Sequence, residues 1–112
     1  MGESKATILV VDDEEHARRL LRLILEEAKY NVITAGSGQE AFEEVSAKDI
    51  SLVLLDIKMP GMDGFQTLEL IRGKTDIPVI MVSGIGRIES VNTSIDLGAD
   101  DYIKKPYRSA ER

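Results

Sequence analysis

Strand-like and helix-like segments alternate five times along this chain, and that rhythm limits the fold more than any other feature. Thr7–Val11, Asn31–Ala35, Leu52–Asp56, 78–82 and Asp101–Lys104 are short runs, mostly apolar, closed by turn residues, as strands are. Between them lie segments of helical period. Residues 14–29 place Ala17, Leu20, Leu21, Ile24, Leu25 and Ala28 on one face. Residues 39–47 turn Ala41, Phe42 and Val45 inward, and 65–72 do the same with Phe65, Leu68 and Ile71. Residues 88–97 carry Ile88, Val91 and Ile95 among helix-poor Ser, Asn and Thr, which predicts a mobile helix. The alternation predicts a parallel sheet covered by helices on both faces and joined by right-handed crossovers.

At 112 residues the chain forms one domain, 1–112, with a polar tail at 1–5. Hydrophobic residues make up 43% of it and aromatic ones 4%, so the core must be aliphatic. A net charge of −6 argues against direct nucleic-acid binding and against anionic membranes. The absence of cysteine removes disulfides and thiol chemistry. No apolar run approaches the roughly 20 residues of a membrane helix, and the N-terminus lacks a signal-peptide core. A cytoplasmic domain is expected. Residues 107–112 allow only a stub of a fifth helix, so part of one sheet face should be under-covered; either another chain covers it or this is an excised piece of a longer protein.

Strand ends carry the chemistry. Leu52–Leu55 run into Asp56, and Thr7–Val11 into Asp12 and Asp13. In open parallel sheets ligands bind at the C-terminal strand edge. Asp56 by itself reads equally as an acid capping a turn; the second acidic strand end tips the balance. Two carboxylates about 5 Å apart repel by about 3 kcal/mol at an effective dielectric of about 20. Such a cluster calls for a cation, and hard oxygen ligands suit Mg²⁺. With a phosphoryl group on Asp56, Lys105 could pair with one phosphoryl oxygen and the Ser83 hydroxyl donate to another, with Gly84 leaving the approach open. These are recurring parts of phosphoryl transfer.

The set Asp12-Asp13, Asp56 with Met59-Pro60-Gly61-Met62-Asp63-Gly64, Ser83-Gly84 and Lys105-Pro106 resembles a response-regulator receiver domain of two-component signalling. The resemblance implies a flavodoxin-like, doubly wound, five-stranded parallel sheet in the order 2-1-3-4-5, here with helix five truncated. It implies Asp56 as the residue phosphorylated from a histidine kinase. It implies Mg²⁺ held by Asp13, Asp56 and the Lys58 carbonyl, with Asp12 acting mainly through water. It implies Ser83 and Tyr102 as a switch pair and a cis Lys105-Pro106 bond. Residues 78–84 and Leu97-Gly98-Ala99 further resemble receivers of nitrogen-regulation type transcription activators. Lys58 and Ile85, two past Asp56 and Ser83, are placed to gate water to the acyl phosphate. His16, among charged residues, reads as surface.

The expected function is a phosphoacceptor switch acting through the face of the fourth helix and fifth strand, and not an enzyme beyond its own phosphorylation and dephosphorylation. Expected partners are the kinase and an output domain or protein the sequence does not name, with a homodimer as a further option. The alternative is an interaction domain of the same fold that works without phosphorylation. A flavodoxin-type cofactor module is disfavoured because Asp12-Asp13-Glu14-Glu15 would repel a phosphate. An aspartate-nucleophile phosphatase needs a second acid two residues after the nucleophile, where Lys58 stands.

Overall fold

The computed structural model describes residues 5–83 and 88–104. Its elements follow in the order β1 (Thr7–Val11), α1 (Glu15–Glu27), β2 (Asn31–Ala35), α2 (Gly38–Ala47), β3 (Leu52–Asp56), α3 (Gly64–Arg72), β4 (Val79–Ser83), α4 (Ile88–Asp96) and β5 (Asp101–Lys104). All strand pairs are parallel, and the sheet order is β2-β1-β3-β4-β5. The alternating pattern and the predicted sheet order both hold. The stub at 107–112 and Lys105-Pro106 lie outside the described residues.

Side chains alternate across each strand, and the two sheet faces are built differently. On one face Leu9, Val11, Val53, Leu55, Val79 and Met81 are buried against Ala41 and Val45 of α2 and Leu68 and Ile71 of α3. On the other, Ile8, Val10 and Val32 pack with Leu21 of α1, and Leu52 and Leu54 are only half-buried against them. Ile103 on β5 is 44% exposed. Among the described residues, Leu52, Leu54 and Ile103 thus keep part of their surface exposed on this second face.

The same asymmetry corrects two inward faces. In α1 only Leu21 is buried, whereas Leu20 and Ile24, expected inside, stay exposed beside Leu23. The apolar stripe is wider than the strip of sheet that α1 covers. Among the described side chains of α4 the one turned fully inward is Ser94, whereas Ile95 is exposed; the Ile88 side chain lies outside the described ones. Val91 is half-buried.

Polar anchors set the helix ends. Ser37 caps α2 by accepting from the Glu40 amide, and Asp63 and Gln66 form a reciprocal capping box on α3. At the far end of α3, Arg72 donates to the carbonyls of Gly98 (2.8 Å) and Ile77 (2.6 Å). It also pairs with Asp100 at 2.9 Å. One side chain thus ties α3 to the entries of β4 and β5.

Candidate phosphoacceptor and cation site

Strand register brings the acids together. Val11 pairs with Leu55, so Asp12, the next residue, emerges beside Asp56 at the end of β3. The ligand oxygens of Asp12, Asp13 and Asp56 all lie within 4.8 Å of one another. Asp12 and Asp56 are only 2% and 6% exposed, while Asp13 faces solvent. Burial of two members separates this trio from ordinary surface acids.

Asp12 is fixed from three sides. Its amide donates to the Ala35 carbonyl (3.1 Å), its Oδ1 accepts from the Glu14 amide (3.0 Å), and its carbonyl accepts from Arg18 Nη1 (2.8 Å). Asp12 is therefore not the cap of α1; Glu14 occupies that position without a side-chain cap bond. The sequence spacing pairs Arg18 with Glu14, but Arg18 turns to the Asp12 backbone instead. One turn on, Glu15 and Arg19, also four apart, do form an ion pair at 3.2 Å.

The loop after Asp56 is shaped by its own residues. Ile57 and Met59 bury their side chains, which leaves Lys58 between them exposed. Gly61 takes a positive φ of 73°, open to glycine at little cost. The Gly64 amide then closes the loop on the Ile57 carbonyl at 2.8 Å.

Val82 pairs with Asp56 and Ser83 with Lys104, so Ser83 ends β4 one residue beyond Asp56 and is buried. Tyr102 on β5 is half-buried against the main core. Five of the predicted site residues, Asp12, Asp13, Asp56, Lys58 and Ser83, thus meet at or beside one sheet edge, with Tyr102 two strands over from Asp56. Lys105, Gly84, Ile85 and Pro106 lie outside the described residues. His16 is exposed, as expected.

The donor set is three carboxylates, with no His or Cys among them, and fits a hard divalent cation such as Mg²⁺. A carboxylate held by a rigid strand beside such a cation can also act as a nucleophile.

The response regulator receiver domain model matches residues 8–111. The chain belongs to the response-regulator receiver family. This receiver is 41% identical over 111 residues to a "Probable transcriptional regulator ycf27" of Cyanophora paradoxa, covering 99% of this chain and 46% of that protein. It therefore spans about half the length of such relatives. Among solved structures it resembles the chemotaxis protein CheY4 of Vibrio cholerae, with a TM-score of 0.90 and 27% identity over 94% of this chain and 90% of that one. It also resembles the response regulator TrrA of Thermotoga maritima in complex with Mg²⁺-BeF, with a TM-score of 0.82 and 36% identity over 92% of this chain and 89% of that one. A flavodoxin-like receiver of two-component phosphorelay signalling is the established reading. No helix among the described residues is long and apolar enough to cross a membrane.

Two positions escaped the sequence reading. Arg18 holds the Asp12 carbonyl, and its only sequence signal was a helix pairing it does not make. Gly64 packs on the backbone of Asp56; it stands in the Met-Pro-Gly-Met-Asp-Gly run that carries the family resemblance, but no role was assigned to it there.

Proposed function

We propose that Asp56 is the phosphoacceptor and that a histidine kinase is the donor. The observation that carries this reading is the convergence of Asp12, Asp13 and Asp56 at the end of β3, with two of the three buried. An Asp56 carboxylate oxygen attacks phosphorus, an O–P bond forms, and the P–N bond to the kinase histidine breaks. Asp13, Asp56 and the Lys58 carbonyl would hold Mg²⁺, with Asp12 acting through water. Bound there, the ion would neutralise charge that develops on the transferred group. Ser83 donates its hydroxyl to a phosphoryl oxygen, and Lys105 supplies a second fixed positive charge.

The acyl phosphate shifts a pre-existing equilibrium: Ser83 draws inward and Tyr102 fills the space it leaves. The changed surface is that of α4 and β5, read by an output domain or protein. Lys58 and Ile85 gate water and set the lifetime of the phosphoryl group. The protein's chemistry is confined to its own phosphorylation and dephosphorylation, and its compartment is the cytoplasm. A homodimer is one form the switched state can take.

Incubation with acetyl phosphate and Mg²⁺, followed by intact-mass analysis, tests the assignment. One phosphate adduct is expected, lost in Asp56→Asn and without Mg²⁺. An adduct that survives Asp56→Asn would place the phosphoryl group on another residue, and none in the unaltered chain would leave the phosphorylation-independent interaction domain as the better account.

A further inference from the structure

A second cleft lies between α1 and the edge strand β2. Glu15, Arg18, Arg19 and Arg22 recur at i, i+3, i+4 and i+7 on one helical face, and Thr34 of β2 forms the opposite wall. The cleft has a volume of about 220 Å³. Its lining carries three positive charges and one negative in a chain whose net charge is −6.

Two of the guanidiniums are held in place by the backbone. Arg18 Nη1 donates to the Asp12 carbonyl at 2.8 Å, and Arg22 Nη2 donates to the Val32 carbonyl at 3.1 Å. Arg22 Nε also reaches Glu26 at 3.1 Å. Anchoring of this kind removes rotamer freedom before a ligand arrives. A guanidinium has five N–H donors, so each anchored arginine keeps others to offer. The third, Arg19, pairs with Glu15 at 3.2 Å, and both side chains are largely exposed. Such a pair is weak and yields readily to a competing anion.

We propose that this cleft binds a small phosphate-type polyanion of pyrophosphate size. The arginine fork matches phosphate oxygens in bidentate fashion, and the Thr34 hydroxyl adds a neutral donor. The volume is below the roughly 300–1,000 Å³ of pockets for drug-sized ligands, which favours a compact anion. On binding, Glu15 leaves Arg19 and swings to solvent. Because Arg18 also holds the Asp12 carbonyl, occupancy of the cleft is felt at the acid trio, and Mg²⁺ affinity changes with it.

The test is an NMR titration with inorganic pyrophosphate in Mg²⁺-free buffer. Saturable shifts are expected at the Nε–H groups of Arg18, Arg19 and Arg22 and at the Thr34 amide. Arg22→Gln should weaken binding about tenfold, the loss of one charged bidentate contact. Thr34→Val, which keeps shape and charge, should weaken it less and serves as the second variant if Arg22→Gln does not fold. Shifts that do not saturate in the millimolar range, that persist unchanged in both variants, or that fall only on Asp12, Asp13 and Asp56 overturn the proposal.

Discussion

The α-carbon of Gly64 packs against the backbone carbonyl of Asp56. A Cβ at position 64 would overlap the Asp56 carbonyl oxygen and stand 2.6 Å from the Ile57 α-carbon. Backbone cannot swing aside as a flexible side chain can. Gly64→Ala is therefore expected to cost about 1–3 kcal/mol of stability, the range of overpacked cores. It should also displace the loop that carries Lys58 and weaken Mg²⁺ binding. Urea denaturation and a Mg²⁺ titration followed by NMR read the two effects separately. Unchanged Mg²⁺ affinity would show that the contact does not transmit to the site.

Mg²⁺ should stabilise the fold by mass action. At a hundredfold excess over its dissociation constant, a ligand that binds only the native state adds about 2.7 kcal/mol. Thermal unfolding with and without Mg²⁺ should show this rise in the unaltered chain and little or none in Asp13→Ala. Without Mg²⁺, Asp13→Asn should be at least as stable as the unaltered chain, because one of three crowded like charges is gone.

Arg72 makes its contacts through the geometry of a planar fork. Its Nε, Nη1 and Nη2 reach Gly98, Ile77 and Asp100, and the same Asp100 Oδ2 accepts from the Val79 amide at 2.8 Å. Lysine has the charge without the fork. Arg72→Lys is expected to lose about 1–3 kcal/mol, since part-buried carbonyls are left short of donors. Hydrogen exchange should quicken at Val79 and in the turn before β5. Normal protection there would place the clamp's role elsewhere.

Apolar residues of one type should behave in opposite ways on the two sides of the molecule. Leu68 is fully buried between α3 and the sheet, whereas Leu23 is 67% exposed on α1. Leu68→Ala is expected to cost about 2–5 kcal/mol. Leu23→Ala should stay within about 0.5 kcal/mol. Chemical denaturation of both variants makes the comparison.

The strands were legible because each is a short apolar run closed by turn residues. Four of the five, Thr7–Val11, Asn31–Ala35, Leu52–Asp56 and Asp101–Lys104, have the expected limits, and the β4 strand is displaced by one residue. Helix faces were less legible. Leu20 and Ile24 fit the apolar period as well as Leu21, yet only Leu21 is buried, since period says nothing of how wide a neighbour is. Ser94 shows the converse, a polar residue buried because α4 rolls it onto the sheet.

The acid trio could be inferred from sequence because carboxylates at the ends of parallel strands must share an edge. The chain's own order therefore determined the topology, the aliphatic core and which residue types gather at that edge. Tertiary structure alone decided the anchors: Arg18 on the Asp12 carbonyl, Gly64 against Asp56, and Arg72 across to Asp100. Each joins residues whose separation in space depends on how strands align and helices roll. Those are cooperative outcomes of packing, and of the residues that take part only Gly64 stands in a recognisable local run.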